Sequence, residues 1–151
     1  MRAVRILPID VFLLEPVLSA ISTPNLLWQT KYILLLWLSL ICLAPFDLAS
    51  IESHDTSQSL VTRLLKVSEE GLGVAGKERD ACAILCARVL SRSDVWRTEL
   101  HPFMTRAIDV FQSPGDNILL VNTLVWLYEL THRKPVCYPP SQISLHIQPE
   151  K

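Results

Sequence analysis

The chain has 151 residues, half of them hydrophobic, with a formal charge of −1. That is enough for one domain with a sizeable core, and so near-neutral a chain has no long-range field to gather nucleic acid. Four glycines are too few for a protein of sheets and tight turns, and four cysteines lying mostly in apolar helical patterns do not form a secreted disulfide framework.

The apolar spacing predicts six helices. The first runs from about Ile9 to Ser22, with Val11, Leu14, Leu18 and Ile21 at steps of three and four. "STPN" ends it, because Pro24 lacks a donor and biases Thr23 toward extended backbone. The second covers about Trp28 to Leu43 and is apolar around its whole axis, so burial on most sides is expected. Its centre, "YILLLWLSLICLAPF" (Tyr32 to Phe46), lies between Lys31 and Asp47 without a charge. That run falls short of the roughly 20 residues a membrane span needs, and Pro45 stops it. The acidic residues Asp10 and Glu15 also disrupt any secretory leader. A core helix is the preferred reading, and an anchor through residues 32–46 is the alternative from another class.

The third helix spans about Ser57 to Leu72. Leu60, Val61, Leu64 and Leu65 form its stripe, Thr56 or Ser57 its cap, and Gly71 and Gly73 its end. The fourth, about Lys77 to Ser91, mixes small Ala81, Ala83 and Ala87 with bulky Ile84, Leu85, Val89 and Leu90. The fifth lies within Val95 to Phe111, with Pro102 expected in its first turn and a buried stripe of Leu100, Phe103, Met104, Ala107, Ile108 and Phe111. The sixth, about Asn117 to Thr131, is apolar nearly all round and is expected to be capped by Asp116. From Cys137 the prolines of "CYPPSQISLHIQPEK" give no helical period, so residues 135–151 are expected to be an irregular tail.

The helices pair first with second, third with fourth, and fifth with sixth. The second members are centred near Leu36, Ile84 and Leu124, 48 and 40 residues apart. HEAT and armadillo repeats recur at about 40 to 47 residues, and such pairs bury their apolar faces by stacking. The expected fold is therefore all-α: about three antiparallel pairs of an armadillo/HEAT-like solenoid over residues 9–134. A compact irregular bundle is the alternative.

Chemistry is sparse. Cys82 and Cys86 have the spacing of half a zinc site, but no second ligand pair accompanies them, and small buried thiols are the simpler reading. "GLGVAG" (Gly71 to Gly76) follows a helix and lacks the Lys-Ser/Thr ending of a phosphate loop. No nucleophile–base–acid order occurs, so neither an enzyme nor a cofactor or metal is expected. The charges say more. "KERD", Arg88, Arg92, Asp94 and Arg97 make a polar seam along and beyond the fourth helix. It reads either as a solvated face or as Arg88 and Arg92 offering guanidinium groups to an acidic partner, with internal pairing to Asp80 or Asp94 as the competing use.

Two segments carry a family resemblance. "LLWQTKYILLLWLSLICLAPFDL" (Leu26 to Leu48) resembles the W-x-T-[KR]-Y-[IMV]-L-L-L-W-L-S-…-P-F-D signature of the tubulin-folding cofactor D family. "KERDACAILCARVLSRSDV" (Lys77 to Val95) is similar to that family's K-x-R-D-A-…-L-…-R-…-R-P-D segment, departing at Ser93 where proline is expected. "LLEPVLSAI" (Leu13 to Ile21) also fits, and together the likeness covers roughly Leu13 to Lys134. The resemblance implies a fragment or truncated form of a much longer armadillo/HEAT solenoid. It implies cytoplasmic capture of β-tubulin after chaperonin release, near the microtubule cytoskeleton. Other tubulin cofactors (notably cofactor E) and an Arf-like small GTPase are the implied partners. Stimulated GTP hydrolysis belongs to the assembled cofactor complex. A different armadillo/HEAT adaptor is the closest competing function. Cut from its array, the segment is expected to associate with itself and to bind β-tubulin weakly or not at all.

Overall fold

A computed structural model describes residues 7–51, 58–112 and 117–132. The tail after Pro135, Cys137, and the proposed caps Thr56, Ser57 and Asp116 lie outside the described residues. Six α-helices follow in order: α1 (Leu14–Ile21), α2 (Trp28–Ile41), α3 (Leu60–Glu70), α4 (Lys77–Leu90), α5 (Ser93–Gln112) and α6 (Asn117–His132). Short 3-10 turns at Val11–Leu13, Leu48–Ile51 and Gly71–Gly73 join them, and no strand occurs among the described residues.

Local chemistry sets the boundaries. The Asp10 carboxylate accepts the Phe12 N–H at 3.1 Å and opens the turn that leads into α1. Pro16 is tolerated there because the first amides of a helix have no intrahelical partner. Asn25, in the "STPN" break, takes a left-handed φ of 63°, which a short polar side chain tolerates. Helix α3 starts later than its periodicity suggests: Ser59 is its cap, accepting the Thr62 N–H at 3.1 Å. Gly76 opens α4 at φ 107°, a conformation open to glycine and strained for other residues.

Helix α5 departs most from expectation. It begins at Ser93, two residues early, with Asp94 in the first turn where a carboxylate favours the positive helix end. Pro102 consequently lies inside the helix rather than in its first turn. Its ring leaves the Thr98 carbonyl without an N–H donor, but both residues are exposed, so water can serve that carbonyl.

The pairs form as expected, α1 on α2, α3 on α4 and α5 on α6, and α4 packs most extensively against α2 and α6. The second helices thus make one continuous row with α4 at its centre. Small Ala81, Ala83, Ala87, Cys82 and Cys86 are all buried in α4, together with Ile84, Leu85, Val89 and Leu90. All-round burial, expected for α2, belongs to α4 instead. Helix α2 buries Leu35, Leu36, Leu38 and Ile41 but leaves Trp28 and Ile33 exposed, because it has α4 on only one side. In α5, Phe103 and Ala107 are buried and Leu100 and Met104 partly so, whereas Ile108 and Phe111 are exposed. That stripe is wider than the surface α6 and α4 can cover.

Polar ties cross between successive pairs at the repeat spacing. Glu15 of α1 holds Arg63 of α3 at 2.9 Å, 48 residues on. Glu69 of α3 holds Arg106 of α5 at 2.5 Å. In the other row, Lys31 of α2 meets Glu78 of α4 at 2.6 Å, and Arg79 of α4 donates to Asn122 of α6 at 3.3 Å. The two rows and their ties are the layout of a three-pair armadillo/HEAT-like solenoid segment.

Candidate functional site

The most organised polar feature lies where α4 ends, and it is built around Arg92. Helix α4 stops at Leu90 and α5 starts at Ser93, so Arg92 sits in a two-residue joint facing the end of α2. Its side chain is buried. One terminal nitrogen, Nη1, donates to the carbonyls of Cys42 (2.7 Å) and Ala44 (3.2 Å). The other, Nη2, donates to the Phe46 carbonyl and to Asp94 Oδ2 at 2.9 Å. Nε donates to Asp94 Oδ1 at 3.0 Å, which completes a two-point carboxylate fork. The guanidinium also lies 5.1 Å from the centre of the Phe46 ring.

Asp94 closes the arrangement by accepting the Leu48 N–H at 3.1 Å. Burial alone would raise its carboxyl pKa. The Arg92 and Leu48 hydrogen bonds and the Arg92 charge outweigh that and hold it below the ordinary carboxylate range. The turn from Cys42 to Leu48 is therefore held from fifty residues away in addition to its own backbone bonds, such as Phe46 N–H to the Ala44 carbonyl at 3.0 Å.

A second contact runs one turn back along both helices. Arg88 Nη1 donates to Ser39 Oγ at 2.7 Å, and Ser39, fully buried in α2, donates in turn to the Leu36 carbonyl at 2.7 Å. Of the uses the sequence leaves open for Arg92, internal pairing with Asp94 is the one present. Asp80 pairs instead with Arg79, at 2.8 Å. Arg88 and Arg92 are therefore brought together, along one side of the α2–α4 seam, with the "LLLWLS" and "PFD" stretches as their counterparts.

Sequence reasoning misses Asn122. It is buried in α6, accepts from Arg79 and donates to the Val74 carbonyl at 3.2 Å, pinning the loop between α3 and α4. The signal was available: an amide in an otherwise apolar run. Gly71 serves the same junction, because any β-carbon there would meet Cys82 Sγ at 2.1 Å. Of the "GLGVAG" glycines, Gly71 thus serves packing and Gly76 backbone conformation.

The thiols are unreactive in kind. Burial pushes Cys42 and Cys82 up to about 12, in Cys42 against the opposing pull of Arg92 and Arg88. Cys86 is pushed well above its ordinary value by burial, which outweighs the approach of the Trp126 indole. That indole N–H is buried and completes no ordinary hydrogen bond. Among the described residues no cluster of three His, Cys, Asp or Glu side chains could hold a metal ion. An open depression of about 170 Å³, lined by Glu69, Phe103, Arg106, Ala107, Val110, Leu119 and Thr123, is smaller than typical ligand pockets. None of the described helices is long and apolar enough to cross a membrane.

Comparison with known proteins bears on the same surfaces. A family model described as "Tubulin-specific chaperone D-like, ARM repeat" matches residues 2–111. "Tubulin-folding cofactor D" of Schizosaccharomyces pombe is 31% identical over 96 residues, 62% of this chain and 8% of that protein. The chain therefore spans under a tenth of the length of that relative. No solved structure matches it.

Proposed function

Because the chain belongs to the tubulin-specific chaperone D-like armadillo-repeat family, we propose that it is a tubulin-binding segment of a tubulin-folding cofactor. In this reading it acts in the cytoplasm, at the microtubule cytoskeleton, as a non-catalytic scaffold in post-chaperonin folding and αβ-tubulin dimer assembly. β-Tubulin is the client, and cofactor E and an Arf-like small GTPase are the companions. Any stimulation of GTP hydrolysis arises in the assembled complex and has no residue of its own here.

The observation that carries the reading is the family match over residues 2–111, which includes the α2–α4 seam. The two stretches that resemble the family, one on α2 and its following turn and one on α4, are the two halves of that seam. Arg92 contributes to partner recognition by holding the turn from Cys42 to Leu48 in shape, and Arg88 by tying α4 to Ser39 of α2 beside it. Exposed Leu43, Pro45 and Asp47 then form the presented edge.

The test is titration of immobilised β-tubulin with the 151-residue chain. Saturable binding weaker than ~1 μM, under about 8 kcal/mol, is expected from a segment with three helix pairs. Loss of that binding in Arg92→Met, with helicity retained, would assign the turn to recognition. No detectable binding at ~100 μM, only about 5 kcal/mol, would refute the proposal.

A further inference from the structure

Helices α3, α5 and α6 surround the depression of about 170 Å³ that lies between the second and third helix pairs. Phe103 and Ala107 of α5 and Thr123 of α6 form its buried floor, with Leu119 partly buried beside them. The Thr123 hydroxyl donates to the Leu119 carbonyl at 2.8 Å, so the floor asks an occupant for no hydrogen bond. Two successive pairs supply the walls, and α4 packed on α6 holds those pairs together. The depression is therefore a groove inside the array and not one of its outer flanks.

Its rim is charged and only partly used. Arg106 Nη2 donates to Glu69 Oε1 at 2.5 Å, and the guanidinium lies 5.3 Å from the centre of the Phe103 ring, over the floor itself. Both side chains are open to water, where such a pair contributes little. An arginine has five donors to give, and Nε and Nη1 of Arg106 take no partner among the described residues. A second carboxylate can therefore bind at Nη1 without displacing Glu69. Glu69 meanwhile keeps the long Arg106 side chain at the rim.

We propose that this groove takes the carboxyl-terminal residue of a partner peptide chain, an apolar residue of leucine or phenylalanine size. Its side chain lies on the Phe103–Ala107 floor and its terminal carboxylate on Arg106. Size selects a single side chain: an apolar cavity of about 150 Å³ holds one benzene-sized group, and the depression is only slightly larger.

The closeness of charge and floor selects a chain end over an internal segment. In an extended segment the next side chain points away from the surface, and the one after it lies roughly 7 Å further on. An internal acidic residue therefore meets Arg106 poorly while its apolar neighbour fills the floor. A chain end carries its carboxylate on the same Cα as its side chain, so one residue supplies both. About a dozen engaged non-hydrogen atoms correspond to a dissociation constant of about 1 mM.

The test is a titration of the ¹⁵N-labelled 151-residue chain with N-acetyl-Gly-Gly-Leu to about 20 mM, well beyond the expected constant, followed by amide shifts. Saturable shifts centred on Ala107 and Thr123 are expected. The same peptide as its C-terminal amide, and N-acetyl-Gly-Gly-Gly with a free carboxylate, should each bind at least fivefold more weakly. Arg106→Gln, an exposed position that should keep its helicity, should weaken N-acetyl-Gly-Gly-Leu at least fivefold and leave the amide unaffected. Absence of saturation, shifts centred elsewhere, equal binding of either control peptide, or undiminished binding by Arg106→Gln would each overturn the proposal. The peptide comparison uses the parent chain alone and decides without any substitution. No arm involves β-tubulin, so the inference stands or falls apart from the proposed function.

Discussion

Replacing Arg92 by methionine keeps the length of the stem and removes every donor. The carbonyls of Cys42 and Phe46 lose their donor, that of Ala44 keeps only the Phe46 N–H, and Asp94 loses its fork. A buried carbonyl left unmet costs about 1–3 kcal/mol. Ala44 and Phe46 are only partly buried, so water can reach their carbonyls and reduce that cost. Cys42 is buried and less easily served. Asp94 keeps the Leu48 N–H and a side chain 21% exposed, so its share falls below the roughly 3–5 kcal/mol of a fully buried broken pair. Together these give a loss of about 3 kcal/mol, a large part of a typical stability of about 5–15 kcal/mol. With a urea slope near 2 kcal/mol/M for this size, the midpoint should fall by about 1.5 M. Far-ultraviolet circular dichroism and tryptophan fluorescence should report the same shift. Arg92→Lys should recover less than half, because an ammonium cannot serve three carbonyls and fork a carboxylate together. If Arg92→Met stays within about 0.5 kcal/mol of the parent, the turn holds itself and the guanidinium is incidental. Full recovery by lysine would make charge, not geometry, the cause.

Acid should expose the same linkage from the other partner. The Asp94 pKa is lowered from 3.8, so its contribution is present above the unfolded value and is lost as pH falls through the folded one. The stability gap between the parent and Asp94→Asn should therefore shrink below about pH 4 in urea melts, and a constant gap would contradict the assignment. Gly71→Ala should destabilise by about 1–3 kcal/mol through the clash with Cys82. Cys82→Ala should rescue it only in part, since the Cys82 β-carbon still lies 2.6 Å from the new methyl; a neutral Gly71→Ala in a thermal melt would refute the close approach. Cys42, Cys82 and Cys86 should resist iodoacetamide at neutral pH until urea unfolds the chain, as read by peptide mass mapping. Native labelling at any of the three would mean that the helices around it open readily.

Periodicity made α2, α4 and α6 legible to within about two residues, because each apolar run is bounded by proline, glycine or a polar residue, whereas α1, expected from about Ile9, begins only at Leu14 after a 3-10 turn at Val11–Leu13. It failed at the start of α5, where Pro102 suggested a first turn. The favourable placement of Asp94 and an exposed position for the proline allowed the helix to start two residues before Val95. Hydrophobicity also overstated burial at Ile33, Ile108 and Phe111, since it measures what a residue tolerates and not whether a neighbour is there. The seam was half legible. Arg88 and Arg92 stood out as charges at a four-residue step, and Asp94 as a possible partner. Nothing local, however, connects Arg92 to three carbonyls almost fifty residues earlier. That contact exists only once α2 and α4 lie side by side. Asn122 was visible as an amide in an apolar run, but its role was hidden for the same reason, its partners being on α4 and on the loop before it.

The ties between successive pairs give the segment a mechanical character. Apolar layers are held in register by interdigitated side chains, and a charge pair adds a directional preference for one register. The Lys31–Glu78 and Glu15–Arg63 ties are mostly shielded from water, with side chains 25% and 12%, and 23% and 20%, exposed. The Glu69–Arg106 tie is open, at 37% and 53%, and is screened by salt. Of these three ties, the one between α3 and α5 is the one that added salt should weaken most.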